Sequence, residues 1–143
     1  MYDSILVPVD LNQESSWKKV LPVAIELAKI NSGELHVLTV IPDFGMAVVG
    51  SFFPADYAKN MLAKVETDLA TFVADNTPAE VSATSEVQQG SIYKEIVRVA
   101  DKMDSTVIVM SSHGPETKDY LLGPNAARVV RHAKQSVFVV RDH

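Results

Sequence analysis

The stretch Ser111 to Ala126 holds the residues best suited to chemistry. An apolar run ends at Met110, Gly114 and Gly123 punctuate a polar segment, and Pro124-Asn125-Ala126 opens a helical pattern. A loop that delivers unpaired backbone N–H groups and a helix start to one space is a site for an anion such as phosphate. Pro124 suits a first helical position but supplies neither an N–H nor a hydroxyl, whereas Asn125 and Ala126 keep N–H groups facing outward. His113 lies in the same loop, yet neither a base nor a nucleophile accompanies it, so no catalytic residue is assigned. A lone carboxylate, Asp10, closes the apolar run Ile5-Leu6-Val7-Pro8-Val9. It reads equally as a ligand group at the rim of a slot and as the cap of a turn.

The elements that position these groups follow from periodicity. Five short runs rich in β-branched residues are expected strands: Ile5 to Val9, Leu35 to Ile41, Val81 to Val87, Thr106 to Met110 and Val137 to Val140. Between them, helical spacing joins Val20, Val23, Ala24, Leu27 and Ala28, with Asn31-Ser32-Gly33 as the stop. It joins Leu62, Val65, Leu69, Phe72 and Val73, ending near Asn76-Thr77-Pro78. A third set is Ile92, Ile96, Val99, Ala100 and Met103, with Ser91 as N-cap. The last comprises Ala126, Val129, Val130 and Ala133. Residues 43–55 show no period and read as a long loop whose Met and Phe side chains either form a lid or partner surface or, the favoured reading, fold back over the core.

Strands apolar on both faces that alternate with helices imply right-handed crossovers and a parallel sheet between two helical layers. Ligands of such sheets bind beyond the carboxyl ends of the strands, where the strand order reverses. If the first and fourth strands are neighbours, that gathers Asp10, Thr39 to Pro42 and the loop after Met110 around one crevice between the carboxyl ends of these two strands.

The 143 residues suit one domain spanning 1–143, with 47% hydrophobic and 22% charged residues. No cysteine is present, which excludes disulfides, thiol catalysis and cysteine-ligated zinc. A net charge of −5 argues against a broad nucleic-acid footprint. No stretch is apolar and long enough for a membrane span, and no secretory leader opens the chain, so a cytoplasmic protein is expected. His36 and His132 lack a second ligand at metal-like spacing, and no metal site is expected. Among Arg128, Arg131 and Lys134, only Arg128 is close enough to the helix start to reach a phosphate.

Several segments together resemble the universal stress protein family: Ile5-Leu6-Val7-Pro8-Val9-Asp10, Leu38-Thr39-Val40-Ile41, Gly90-Ser91, Ser112-His113-Gly114, Leu121-Leu122-Gly123, Val130-Arg131-His132-Ala133 and Val137-Phe138-Val139-Val140-Arg141. The loop looks most like that of the small bacterial F/G-type ATP-binding members. The resemblance implies a five-stranded parallel sheet in order 3-2-1-4-5 with helices on both faces, of the adenine nucleotide alpha hydrolase-like kind, and a homodimer. It implies ATP as ligand, with or without Mg2+, and a role as a stress-response sensor or regulator with weak ATPase activity at most. Against the family pattern G-x2-G-x9-G-[ST], Ser111 stands at the first glycine, Gly114 at the second, Gly123 at the third and Pro124 at the Ser/Thr position. The last gap is eight residues. By position, Pro8, Val9 and Asp10 would meet adenine and ribose, Val40 would line the base pocket, Met110 would pack beside it, and Ser111, His113, Gly114, Gly123, Pro124, Asn125 and Ala126 would surround the phosphates.

Two readings are carried forward: a nucleotide-binding regulator, and a homodimeric interaction module of the same fold that binds no nucleotide. No Walker lysine is present and no G-x-G-x-x-G follows the first strand, which sets aside conventional kinases and dehydrogenases. Asp10 lacks the paired acidic neighbour of a receiver domain. The apolar run Val137 to Val140, without a charge before Arg141, would be hidden by pairing with a second copy if it lies at the sheet edge.

Overall fold

The computed structural model describes residues 1–42, 55–112 and 125–141, and only the backbone of residues 55–58. In chain order the elements are β1 (Ser4–Pro8), a 3-10 turn (Glu14–Ser16), α1 (Val20–Asn31), β2 (Glu34–Ile41), α2 (Ala55–Asn76), β3 (Ser82–Gln89), α3 (Ile92–Lys102), β4 (Val107–Ser112), α4 (Asn125–His132) and β5 (Ser136–Arg141). All strand pairs are parallel, in order β3-β2-β1-β4-β5. The expected doubly wound α/β sheet is what the chain forms. The stretch 43–54, read as a loop, lies outside the described residues.

Alternation along the strands sorts the core into two halves. On one face Ile5 and Val7 of β1 and Leu35 and Val37 of β2 pack with Val20, Leu21, Ala24 and Ala28 of α1 and Leu69 and Val73 of α2. On the other, Leu6, Leu38, Val40, Ile108 and Met110 meet Ile96, Val99 and Ala100 of α3 and Ala126 and Val129 of α4. The central strand is therefore wholly covered, with Ile5, Leu6 and Val7 at 0% exposure.

Four local expectations are corrected. β4 continues to Ser112, so Ser111 is a strand residue paired with Val140 and not the first residue of a loop. Met103 is exposed because α3 ends at Lys102 and Met103 leaves the helical period at its cap. Val130 is exposed because the eight-residue α4 meets the core along Ala126, Val129 and Ala133, which leaves the adjoining position on its solvent flank. Ser91 holds the N-cap position of α3 in extended conformation, but its side chain makes no capping hydrogen bond. The Tyr93 N–H in the first turn instead donates to Asn125 Oδ1 at 3.1 Å, so α4 caps α3.

The face of β3 toward α3 is polar. His36 bridges Thr84 Oγ1 (2.6 Å) and Glu86 Oε1 (2.7 Å), while Glu86 Oε2 accepts from Lys102 Nζ at 2.8 Å and from Gln88. Burial raises the affinity of Glu86 for a proton, but the hydrogen bonds from Lys102, His36 and Gln88 outweigh it and bring its pKa from 4.5 down to about 2. Its folded pKa lies below its unfolded one, so the stabilisation is complete above pH 4.5 and is lost as pH falls through about 2. The shift corresponds to about 3 kcal/mol in a side chain this little exposed. Urea titrations of wild type should show that acid loss. Glu86→Gln should be less stable at pH 7 and lose less between pH 4.5 and 2; parallel pH profiles would remove Glu86 from the account.

Candidate functional site

The segment after β1 is built around a buried serine. Val9 N–H still donates to Leu38 O (2.8 Å), and the chain then turns away from the sheet. Ser16, 0% exposed, accepts from Asp10 N–H through Oγ (2.9 Å) and returns its own proton to Asp10 O (2.8 Å) or Gln13 O (2.7 Å). Gln13 N–H also reaches Asp10 O at 2.9 Å. One carboxylate oxygen of Asp10, Oδ1, accepts from Asn12 N–H at 3.0 Å, the geometry of an Asx turn. Thr39 Oγ1 donates to Val9 O (3.1 Å) and ties the ends of β1 and β2 together.

These turns wall a cavity of about 260 Å³ at the carboxyl ends of β1 and β2. Val9, Asp10, Leu11 and Asn12 form one side, and Thr39, Val40, Ile41 and Pro42 the other. Val65 and Asp68 of α2 and Ile92 at the start of α3 complete the lining. Asp10 is 7% exposed, and burial raises its pKa above 3.8, against the smaller downward pull of the Asn12 N–H. A carboxylate held in a partly apolar slot suits a ligand that brings hydroxyl or amino groups as hydrogen-bond donors.

Of the residues expected at the site, Val9, Asp10 and Val40 line this cavity together. Pro8 ends β1 and is buried, Met110 is fully buried among Leu6, Ile108 and the α3 side chains, and Ser111 is 1% exposed within β4. None of these three lines the cavity. Asn125 and Ala126 are buried at the start of α4, where Asn125 Oδ1 serves Tyr93. His113, Gly114, Gly123 and Pro124 lie outside the described residues. Arg128 places its guanidinium over the Tyr93 ring, 5.7 Å from the centroid, and His132 stacks on the same ring at 5.2 Å. His36 belongs to the Glu86 network.

Leu11, Asn12, Val65, Asp68 and Ile92 were not foreseen as site residues. The first two follow Asp10 directly, and the turn signal Asp-Leu-Asn carries them. Val65 belongs to the expected buried stripe of α2, but only the seating of that helix beside the strand ends brings it and Asp68 to the cavity. Among the described residues, no group of three or more His, Cys, Asp or Glu side chains is gathered to hold a metal ion, and no helix is long and apolar enough to cross a membrane.

The whole chain matches known proteins. The profile of the Universal stress protein family covers residues 1–141. Universal stress protein G of Shigella flexneri is 32% identical over 145 residues, spanning 99% of this chain and 100% of that protein. Among solved structures, a universal stress protein from Lactobacillus plantarum superimposes with a TM-score of 0.71 at 22% identity, covering 98% of both chains. A universal stress protein solved in complex with cAMP superimposes with a TM-score of 0.69 at 20% identity, covering 99% of this chain and 98% of that one. With its family profile matched almost end to end and a full-length relative above 30% identity, the chain belongs to the universal stress protein family.

Proposed function

We propose that this protein binds an adenine nucleotide in the cavity beyond β1 and β2 and acts as a stress-response sensor or regulator, with slow hydrolysis at most. The observation that carries the reading is the buried Asp10, its pKa raised by that burial, in a slot walled by Val9 and Val40. The apolar walls suit the faces of a purine, and the carboxylate suits the hydroxyls of ribose or a ring amine. At about 260 Å³ the space is near the lower limit of about 300 Å³ for small-molecule sites. It fits a nucleoside moiety with its phosphates outside, on the side of α3 and α4. ATP is the first candidate, with Mg2+ carried on its phosphates, since this cation keeps several waters and needs few protein ligands. The cAMP complex of a family member supports an adenine nucleotide in general and makes cAMP the second candidate.

The test is to denature purified protein and examine the supernatant for nucleotide by chromatography and mass spectrometry, with calorimetry of the refolded or nucleotide-free protein against Mg-ATP and cAMP. Released adenine nucleotide, or binding heat at millimolar ligand or below, supports the reading. Absence of both sinks it.

A second reading, an interaction module that works as a homodimer, is favoured by one specific observation. β5 is an edge strand, and Phe138 on it is 45% exposed. An unpaired apolar edge is a template for a second copy. In sedimentation velocity the wild type should run as a dimer and Phe138→Lys should shift toward monomer. A lysine variant that stays dimeric would move the interface away from β5.

A further inference from the structure

The cavity holds a second carboxylate that the reading above does not use. Asp68 of α2 lines the same space as Asp10, with Val65 one turn before it. Its Oδ2 accepts from Lys64 Nζ at 2.8 Å, and its side chain is 50% exposed, at the rim of the cavity and not its floor. The pair with Lys64 does not account for the position of Asp68, because an exposed pair one helical turn apart contributes little to stability. It does hold one carboxylate oxygen and so restricts the other.

The two helical layers give the cavity a direction. α2 packs on one face of the sheet through Leu69 and Val73, whereas Ile92, which lines the cavity from α3, packs with the cluster on the opposite face. Asn125 joins the start of α4 to that second layer through Tyr93 N–H. A nucleotide whose phosphates lie toward the starts of α3 and α4 leaves its far end, the base, for the wall formed by α2.

We infer that Asp68 is a specificity-determining residue that reads the edge of the purine, accepting a hydrogen bond from a 6-amino group and repelling a 6-oxo group. An ionised carboxylate has only acceptors, so a ring carbonyl at the same place meets like partial charge. The inference rests on the nucleotide reading and extends it from a purine ribonucleotide in general to discrimination between amino and oxo purines. Discrimination by a half-exposed group is modest, since water can serve an unpaired partner there, and roughly tenfold is expected.

The experiment compares ATP and ITP, which differ at this ring position, by calorimetry on wild type, Asp68→Asn and Asp68→Ala, with thermal melts to check folding. Wild type should bind ATP about tenfold tighter than ITP. Asp68→Asn, whose amide can also donate, should bring the ratio near one chiefly by tightening ITP, and Asp68→Ala should lower it by weakening ATP. A wild type that binds both equally, a ratio unchanged in both variants, or an equal loss of ATP and ITP overturns the role of Asp68 while leaving the nucleotide reading intact. Binding of neither nucleotide by wild type overturns the nucleotide reading and this inference with it.

Discussion

Gly33→Ala should destabilise the protein by about 2 to 3 kcal/mol, a large effect for the addition of one methyl group. A Cβ at this position would lie 2.8 Å from Asp3 Cα and Asp3 O and 3.0 Å from Asp3 C. All three are backbone atoms at the entry to β1, so relief requires moving the central strand and not merely turning a side chain. The same place is a junction of hydrogen bonds. Gly33 N–H ends α1 on Ala28 O (2.8 Å), and Glu34 N–H reaches Asp3 O (2.9 Å), next to the Ser4–Glu34 pairing of β1 with β2. The glycine is required for close approach and not for its backbone angles, since the left-handed residue here is Ser32, with φ of 51°. Urea denaturation should show a lower midpoint with an unchanged slope. A loss below about 0.5 kcal/mol, the size of an ordinary surface change, would mean the strand entry gives way easily.

Asp10→Asn should separate binding from stability. The asparagine Oδ1 can still accept from Asn12 N–H, so the turn built on Ser16 survives. The charge does not. Because burial holds the folded pKa of Asp10 above 3.8, its ionised form opposes folding. The favourable contribution is complete below pH 3.8 and disappears as pH rises through the folded pKa. At neutral pH the asparagine variant should therefore be slightly more stable than wild type, and the difference should vanish on acidification. Nucleotide affinity should move the other way and fall by about tenfold to a hundredfold, the usual weight of hydrogen bonds to a charged group. A stable variant that binds as well as wild type would return Asp10 to the role of a turn cap. A variant that unfolds would show that the carboxylate supports the turn in a way its hydrogen bonds do not reveal.

Those two residues also show how far the sequence is legible. Ile5-Leu6-Val7 reads as a strand buried on both faces, and each of the three is indeed fully covered. Asp10 stands out as a lone carboxylate ending such a strand, where it reads equally as a ligand group and as a turn cap, and the structure gives it the Asx turn to Asn12. Local pattern alone did not reveal the role of Gly33. It reads as a helix stop, while its need for close approach depends on Asp3, thirty residues away in the chain. The same holds for α3, where Ser91 carries the expected capping signal but Asn125, from another helix, supplies the hydrogen bond. Asp68 belongs to an exposed i,i+4 pair like many on helix surfaces, and only the placement of α2 against the strand ends makes it a wall of the cavity. Ser111 illustrates the opposite error. Its alignment with a glycine of the phosphate loop assigned it to the loop, yet β4 continues through it and pairs it with Val140.

The central claim is that an adenine nucleotide occupies the cavity formed by Val9, Asp10, Thr39 and Val40. The most direct measurement is a titration of isotopically labelled protein with Mg-ATP, following backbone amide resonances by NMR. The account predicts saturable shifts concentrated at residues 9–12 and 39–41, with smaller ones at Asp68 and Ile92. Saturating shifts confined to the β5 edge, or none at millimolar nucleotide, would contradict it.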